Sequence, residues 1–234
     1  MQKKIPNPCK VVRANPHPGR GTVLVLGTPR GGTSVVAGIC HLLGVPMGRD
    51  IDPSNMEDRA FRQLCTVTPA DVRAVSFFAE LRRGNRIAGV KDPAVIDWLP
   101  QLYHVVPEPV LVVVSRDVYA AAQREEVAGS EFFEALESTI RRKYAILELV
   151  RAVTDPLIVV SYERLMQNPQ RAVESLSTFL GMEPDGELVE RIVARVNPHA
   201  DMPYDVNFVT ARAEYERECL LASTCHQIST CEAV

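Results

Sequence analysis

Three kinds of signal are scarce in this chain. Its six cysteines, Cys9, Cys40, Cys65, Cys219, Cys225 and Cys231, include no Cys-x-x-Cys pair, which argues against a zinc site, a thiol-redox motif or a disulfide framework. The even spacing of the last three is read as chance. No uninterrupted apolar run approaches the roughly 20 residues of a membrane-spanning helix. Residues 1–20 are polar and proline-containing, without the apolar centre of a signal peptide, so a cytoplasmic protein is expected. Charge of one sign is missing too: 26 Lys and Arg stand against 29 Asp and Glu, a net −3, which argues against a surface that coats nucleic acid. No carboxylate or histidine cluster has metal-ligand spacing, so no metal is expected.

What is present is the material of one sizeable α/β domain in 234 residues. Thr22–Leu26, Ile87–Val90, Val110–Val114 and Leu157–Val160 are short, continuously apolar runs of the kind that become strands buried on both faces. Helical patterns separate them: Thr33–Leu43, Glu57–Leu64, Ala70–Arg83 closed by Gly84, Val95–Tyr103, a long helix after Ser130, 168–180 and Glu187–Val196. In the long helix, Phe133, Leu136, Ile140, Tyr144, Leu147 and Val150 recur at helical spacing and read as the buried face. Strands alternating with helices imply a three-layer sandwich, a central parallel sheet with helices on both faces. Residues 1–20 read as an irregular lead-in, 21–200 as the domain, and 201–234 as a tail that is a candidate cover for the site.

The first strand runs into Gly27-Thr28-Pro29-Arg30-Gly31-Gly32-Thr33-Ser34 and then into a helix. Glycines let backbone N–H groups approach an anion, and the helix brings its positive N-terminus to the same place. Gly27 and Gly32 fit the frame of a nucleotide-binding P-loop, but Thr33 stands where that loop has lysine. The loop therefore reads as a phosphate site of another kind. Lys91-Asp92 and Arg116-Asp117 follow two other strands, and ligands of open parallel sheets bind beyond such carboxyl ends. Arg30, Lys91 and Arg116 are thus expected on one anion-binding rim. Phe61, Phe77 and Phe78 lie in the stretch 46–83 that, with the tail, should shape a second substrate's pocket, and Phe77 and Phe78 read equally well as core. His41 and His104 fall on helices and are expected to pack or face solvent, whereas His17 and His199 fall in loops.

These segments resemble the sulfotransferases that use 3′-phosphoadenosine-5′-phosphosulfate (PAPS). The loop Thr28 to Ser34 is similar to their 5′-phosphosulfate loop, and Leu111–Asp117 to their 3′-phosphate segment. Ser161-Tyr162-Glu163-Arg164-Leu165, Asn168-Pro169 and Phe179-Leu180-Gly181 resemble the downstream strand and helix. Asn55-Met56-Glu57-Asp58 and Gly89–Pro93 look like landmarks of bacterial members. The resemblance implies a P-loop-type fold and sulfuryl transfer to a hydroxyl or amine of a small-molecule or carbohydrate acceptor, with PAPS as donor. It implies that Thr28, Pro29, Arg30, Gly31, Gly32, Thr33 and Ser34 hold the 5′ end. Arg116 would bind the 3′-phosphate, with Arg124 standing where the family usually has serine. Arg30 would stabilise the transferring group, Lys91 would touch the bridging oxygen or substrate, and Glu57 would be the base, with Asp92 and Asp58 as alternatives. A sulfotransferase-like nucleotide-binding protein without turnover and a P-loop kinase are the competing readings. The oligomeric state stays open.

Overall fold

A computed structural model describes residues 6–66, 71–196, 208 and 210–218. Its main sheet contains β1 (Cys9–Arg13), β2 (Gly21–Leu26), β5 (Ile87–Lys91), β6 (Pro109–Ser115) and β7 (Leu157–Ser161), in the order β1-β7-β6-β2-β5. β2, β5, β6 and β7 are mutually parallel, and β1 joins the edge antiparallel to β7. The four parallel strands lie where the apolar runs predict them. Their side chains alternate between two cores: Val23, Val25, Val110, Val112 and Val114 enter one, Leu24, Leu26 and Leu111 the other. That two-sided burial is why the runs are continuous rather than alternating.

The helices are α1 (Thr33–Leu42), α2 (Arg59–Thr66), α3 (Asp71–Leu81), α4 (Leu99–Leu102), α5 (Val118–Val127), α6 (Phe132–Ala152), α7 (Tyr162–Gln167), α8 (Pro169–Leu180) and α9 (Gly186–Arg195). A small hairpin of β3 (Ile51–Asp52) and β4 (Glu57–Asp58) stands apart from the main sheet. α1, α8 and α9 supply one core, and α2, α3, α4 and α6 the other. The outcome is the α/β sandwich expected from the sequence. Among the described residues no helix is long and apolar enough to cross a membrane, and no group of three His, Cys, Asp or Glu could hold a metal ion.

Four expectations are corrected. The lead-in is not irregular throughout, because Cys9–Arg13 forms β1, anchored by buried Cys9 and by Arg13, which donates to the carbonyls of Val150 and Asp155. The helix placed at Glu57 starts at Arg59, since Glu57 and Asp58 pair with Asp52 and Ile51. Asp58 Oδ1 then caps that helix by accepting from the Phe61 N–H at 2.8 Å. Val95–Tyr103 is not one helix but a tight turn at Val95–Asp97 followed by α4, with Pro100 in its first turn. The long helix exists, yet its buried residues are Ala135, Thr139, Ile146 and Leu149, while Phe133, Ile140, Tyr144 and Leu147 face solvent.

The carboxy-terminal residues 210–218 are helical, and Phe208 packs where a side chain at Gly38 of α1 would stand. Cys219, Cys225, Cys231 and His199 lie outside the described residues.

Candidate functional site

At the carboxyl ends of the parallel strands lies a cleft of about 490 Å³, lined among others by Pro29, Arg30, Gly32, Thr33, Ser34, Glu57, Lys91, Asp92, Arg116 and Arg124. Of the residues expected to take part in catalysis or cofactor binding, Thr28, Gly31 and Asp58 are not among its lining. Thr28 and Gly31 shape the loop from within: the Gly31 N–H donates to the Thr28 carbonyl at 2.9 Å, and a Cβ on Gly31 would approach that oxygen to 2.6 Å. Asp58 is only 1% exposed. Its Oδ2 accepts from the N–H groups of Arg49 and Asp50, so this carboxylate holds the hairpin and is withdrawn as a candidate base.

The glycine loop leaves β2 and enters α1 through two left-handed residues, Arg30 at φ 52 and Gly32 at φ 85. For Arg30 that conformation is strained by about 1 kcal/mol or more, and such strain concentrates at binding sites. Gly32 is required twice over, by its φ and because a Cβ there would come within 2.1 Å of the Tyr162 ring. No side chain caps the N-terminus of α1, so the positive end of its dipole opens toward the cleft.

Two cationic groups flank the loop. At the Arg30 end, Arg116 Nη1 donates to the Arg30 carbonyl at 2.7 Å, and its guanidinium lies 4.7 Å from the centre of the Tyr162 ring. Arg30 Nε faces Glu125 Oε1 at 3.5 Å, and Arg124 shares the same wall. At the Ser34 end, Lys91 Nζ donates to Ser34 Oγ at 3.2 Å, the Asn55 carbonyl at 3.0 Å and Glu57 Oε1 at 2.7 Å. One ammonium thus ties the loop helix, the hairpin and β5 together. Burial depresses the Lys91 pKa, and the Glu57 carboxylate beside it opposes that shift.

Glu57 Oε2 receives Arg62 Nη2 at 2.8 Å and Asn55 Nδ2 at 3.2 Å. Asp92 Oδ1 accepts from the Ala94 N–H at 2.8 Å, but the enclosed Oδ2 has no hydrogen-bond partner. Arg62 Nε stands 3.9 Å from it. Burial raises the Asp92 pKa. Phe61, Phe77 and Phe78 do not reach the cleft. They form a ring cluster inside the core, with centroids 5.2 to 6.1 Å apart. Residues 208 and 210–218 do not line it either.

Sequence reasoning assigned no role to Tyr162, Glu125, Arg62, Ser54 or Asn55, all of which line the cleft. Tyr162 had a signal, since it directly follows the last parallel strand, at the same kind of carboxyl end as Arg116. Arg62 and Glu125 sit mid-helix and carry no such positional mark.

A model of the sulfotransferase family matches residues 44–186, a span that starts beyond the glycine loop. No curated protein sequence matches this chain. The sulfotransferase domain of the Synechococcus PCC 7002 olefin synthase superposes with a TM-score of 0.55 at 18% identity, over 92% of this chain and 98% of that one. Sulfotransferase STF9 from Mycobacterium avium gives 0.53 at 14% identity, over 88% and 77%. A mouse sulfotransferase complexed with PAP gives 0.50 at 12% identity, over 76% and 65%. At these identities the likeness is one of fold.

Proposed function

The chain belongs to the sulfotransferase family, and from that premise we propose that it transfers a sulfuryl group from PAPS to a hydroxyl or amine. One observation carries the reading: an uncapped helix N-terminus and four cations, Arg30, Lys91, Arg116 and Arg124, line one cleft, grouped at the two ends of the glycine loop. A donor with an anionic group at each end suits that layout, and the mouse structure cited above holds the desulfated product PAP.

PAPS would supply an activated sulfuryl group on a phosphate leaving group. The N–H groups of Gly32, Thr33 and Ser34 would hold its 5′ end, with Thr28, Pro29 and Gly31 fixing the loop. Arg116 and Arg124 would take the 3′-phosphate, for which a planar guanidinium fork is well matched. Tyr162 holds the Arg116 guanidinium over its ring and so orients it. Arg30 is placed to stabilise charge on the transferring group, once Glu125 is exchanged for the ligand. Lys91, already oriented by Ser34 and Glu57, would meet charge developing on the leaving oxygen.

Glu57 serves as the base in this reading. Its Oε2 is held by Arg62, a 59% exposed side chain free to withdraw when the acceptor enters, whereas Asp92 Oδ2 is enclosed. Asp92 then acts as a fixed charge beside Lys91. The acceptor side of the cleft, with Ser54, Asn55 and Arg62, is polar and suits a hydroxyl-rich or amine-bearing small molecule or carbohydrate. The unit responsible is residues 21–200.

Calorimetric titration with adenosine 3′,5′-bisphosphate, beside Mg²⁺-ATP, tests this. The bisphosphate is expected to bind and Mg²⁺-ATP to stay silent. Arg30→Ala and Arg116→Ala should each weaken binding about 10- to 100-fold, the equivalent of one charged hydrogen-bonding contact. Glu57→Gln should bind the bisphosphate normally and lose turnover. Silence toward the bisphosphate, or undiminished binding in Arg116→Ala, contradicts the assignment.

A further inference from the structure

The acceptor end of the cleft holds more negative charge than its buried cation can satisfy. Glu57 and Asp92 both line it, with side chains only 8% and 2% exposed. The buried cation beside them is Lys91. An ammonium has three N–H groups, and Lys91 directs them to Ser34 Oγ, the Asn55 carbonyl and Glu57 Oε1. None is left for Asp92. Its Oδ1 is met by the Ala94 N–H, but the enclosed Oδ2 accepts no hydrogen bond from any described residue. A buried carboxylate oxygen without a donor is costly. Burial, and the Glu57 charge after it, push the Asp92 pKa upward.

What answers the two carboxylates from the open side is Arg62. Its Nη2 lies 2.8 Å from Glu57 Oε2 and its Nε 3.9 Å from Asp92 Oδ2, so one guanidinium spans both. The longer distance is beyond hydrogen-bond range. The Arg62 side chain is 59% exposed, and an exposed arginine is held weakly by an ion pair. When it swings outward, two buried carboxylates remain against one ammonium, and each has an oxygen short of a cationic donor.

We propose that the acceptor is a primary amine, which enters as its ammonium and replaces the Arg62 guanidinium between Glu57 Oε2 and Asp92 Oδ2. This inference rests on the sulfuryl-transfer reading and names its acceptor. Three N–H groups and one positive charge serve both oxygens at once. A hydroxyl has a single proton and leaves one carboxylate unpaired. An anionic group drawn to Arg62 meets both carboxylates as well, at a Coulombic cost. Asp92 is thus the residue that selects the amine, and Glu57 is the base. Glu57 takes one proton from the ammonium. The freed lone pair forms the N–S bond, and the S–O bond to the 5′-phosphate breaks with its electron pair staying on the phosphate oxygen. The sulfated nitrogen then gives its second proton to water, leaving a sulfamate.

Calorimetric titration at constant ionic strength tests this, with n-butylammonium, n-butanol and butyrate as probes on protein saturated with adenosine 3′,5′-bisphosphate. n-Butylammonium is expected to bind at a single site, and the other two to stay silent. Arg62→Ala removes the competing guanidinium and should tighten n-butylammonium about 10-fold. Adding Asp92→Asn to Arg62→Ala should weaken it about 10- to 100-fold, the equivalent of one charged contact. Loaded protein that ignores n-butylammonium, that binds n-butanol as well as it binds the ammonium, or that binds butyrate instead overturns the amine acceptor. So does an affinity that Asp92→Asn leaves unchanged. Each of these results leaves bisphosphate binding, and with it the sulfuryl-transfer reading, in place. Failure to bind the bisphosphate overturns that reading first, and this inference with it.

Discussion

His41 shows how burial turns one side chain into a pH term. It lies in the last turn of α1 with Nδ1 enclosed and unpartnered, and its carbonyl accepts from Arg212 of the segment 210–218. Burial first, and Arg212 second, push its pKa down from 6.5 to about 4. The unfolded chain therefore binds the proton more readily, and the stabilisation present above pH 6.5 is lost as pH falls toward about 4. His41→Gln should flatten thermal stability against pH in that window, where the wild type loses up to about 3 kcal/mol. An unchanged slope in His41→Gln would show that other groups dominate. Asp92 has the opposite sign. Its folded pKa is raised by burial, so its contribution is favourable in acid and lost as pH rises through the folded value. Asp92→Asn should be more stable than the wild type near pH 8. Paired melting curves should converge in acid, below the usual carboxylate range.

Among the elements, the parallel strands were legible because two-sided burial leaves an unbroken apolar run, as in Val23–Leu26 and Val110–Val114. β1 was not, because Cys-Lys-Val-Val-Arg is an edge strand with exposed Val11 and Val12 and owes its place to β7. The face of α6 was misread for a definite reason: the larger side chains sit on the uncovered side, and the domain buries Ala135 and Thr139 instead. Spacing reports that a face is apolar and not which partner covers it. In the candidate site the loop, Lys91 and Arg116 were readable as residues following strands. Arg62 and Glu125 were not, since helical charges look alike until packing aims them. Tyr162 links the two levels. Gly32 joins β2 to α1 beneath its ring, so Gly32→Ala meets two separate penalties, a positive φ and a steric clash. In a Tyr162→Ala background Gly32→Ala should cost about 1–2 kcal/mol for the backbone alone. In the wild-type background it should cost more, and a double-mutant cycle reads the difference as coupling. Equal costs in both backgrounds would mean that the ring does not rest on the loop.

At the scale of the molecule, the cleft is a product of the whole sheet rather than of one motif. Its lining comes from the loop after β2, the β3–β4 hairpin with α2, the end of β5, β6 with α5, and the start of α7. Those segments span most of the domain in sequence and meet only when all four parallel strands are in register. A ligand of this cleft therefore binds the folded chain and not the unfolded one, and mass action converts its affinity into stability. Adenosine 3′,5′-bisphosphate at 100 times its dissociation constant should add about 2.7 kcal/mol. For a chain of this length that is a rise of about 5–10 °C in Tm. Mg²⁺-ATP at the same concentration should leave Tm where it was. The rise should shrink in Arg30→Ala and Arg116→Ala, which remove cations from the cleft, and persist in Glu57→Gln, which removes only the proposed base. A bisphosphate shift that survives in Arg116→Ala would place the nucleotide elsewhere on the fold. A shift with Mg²⁺-ATP alone would return the loop to the kinase reading that Thr33 argues against.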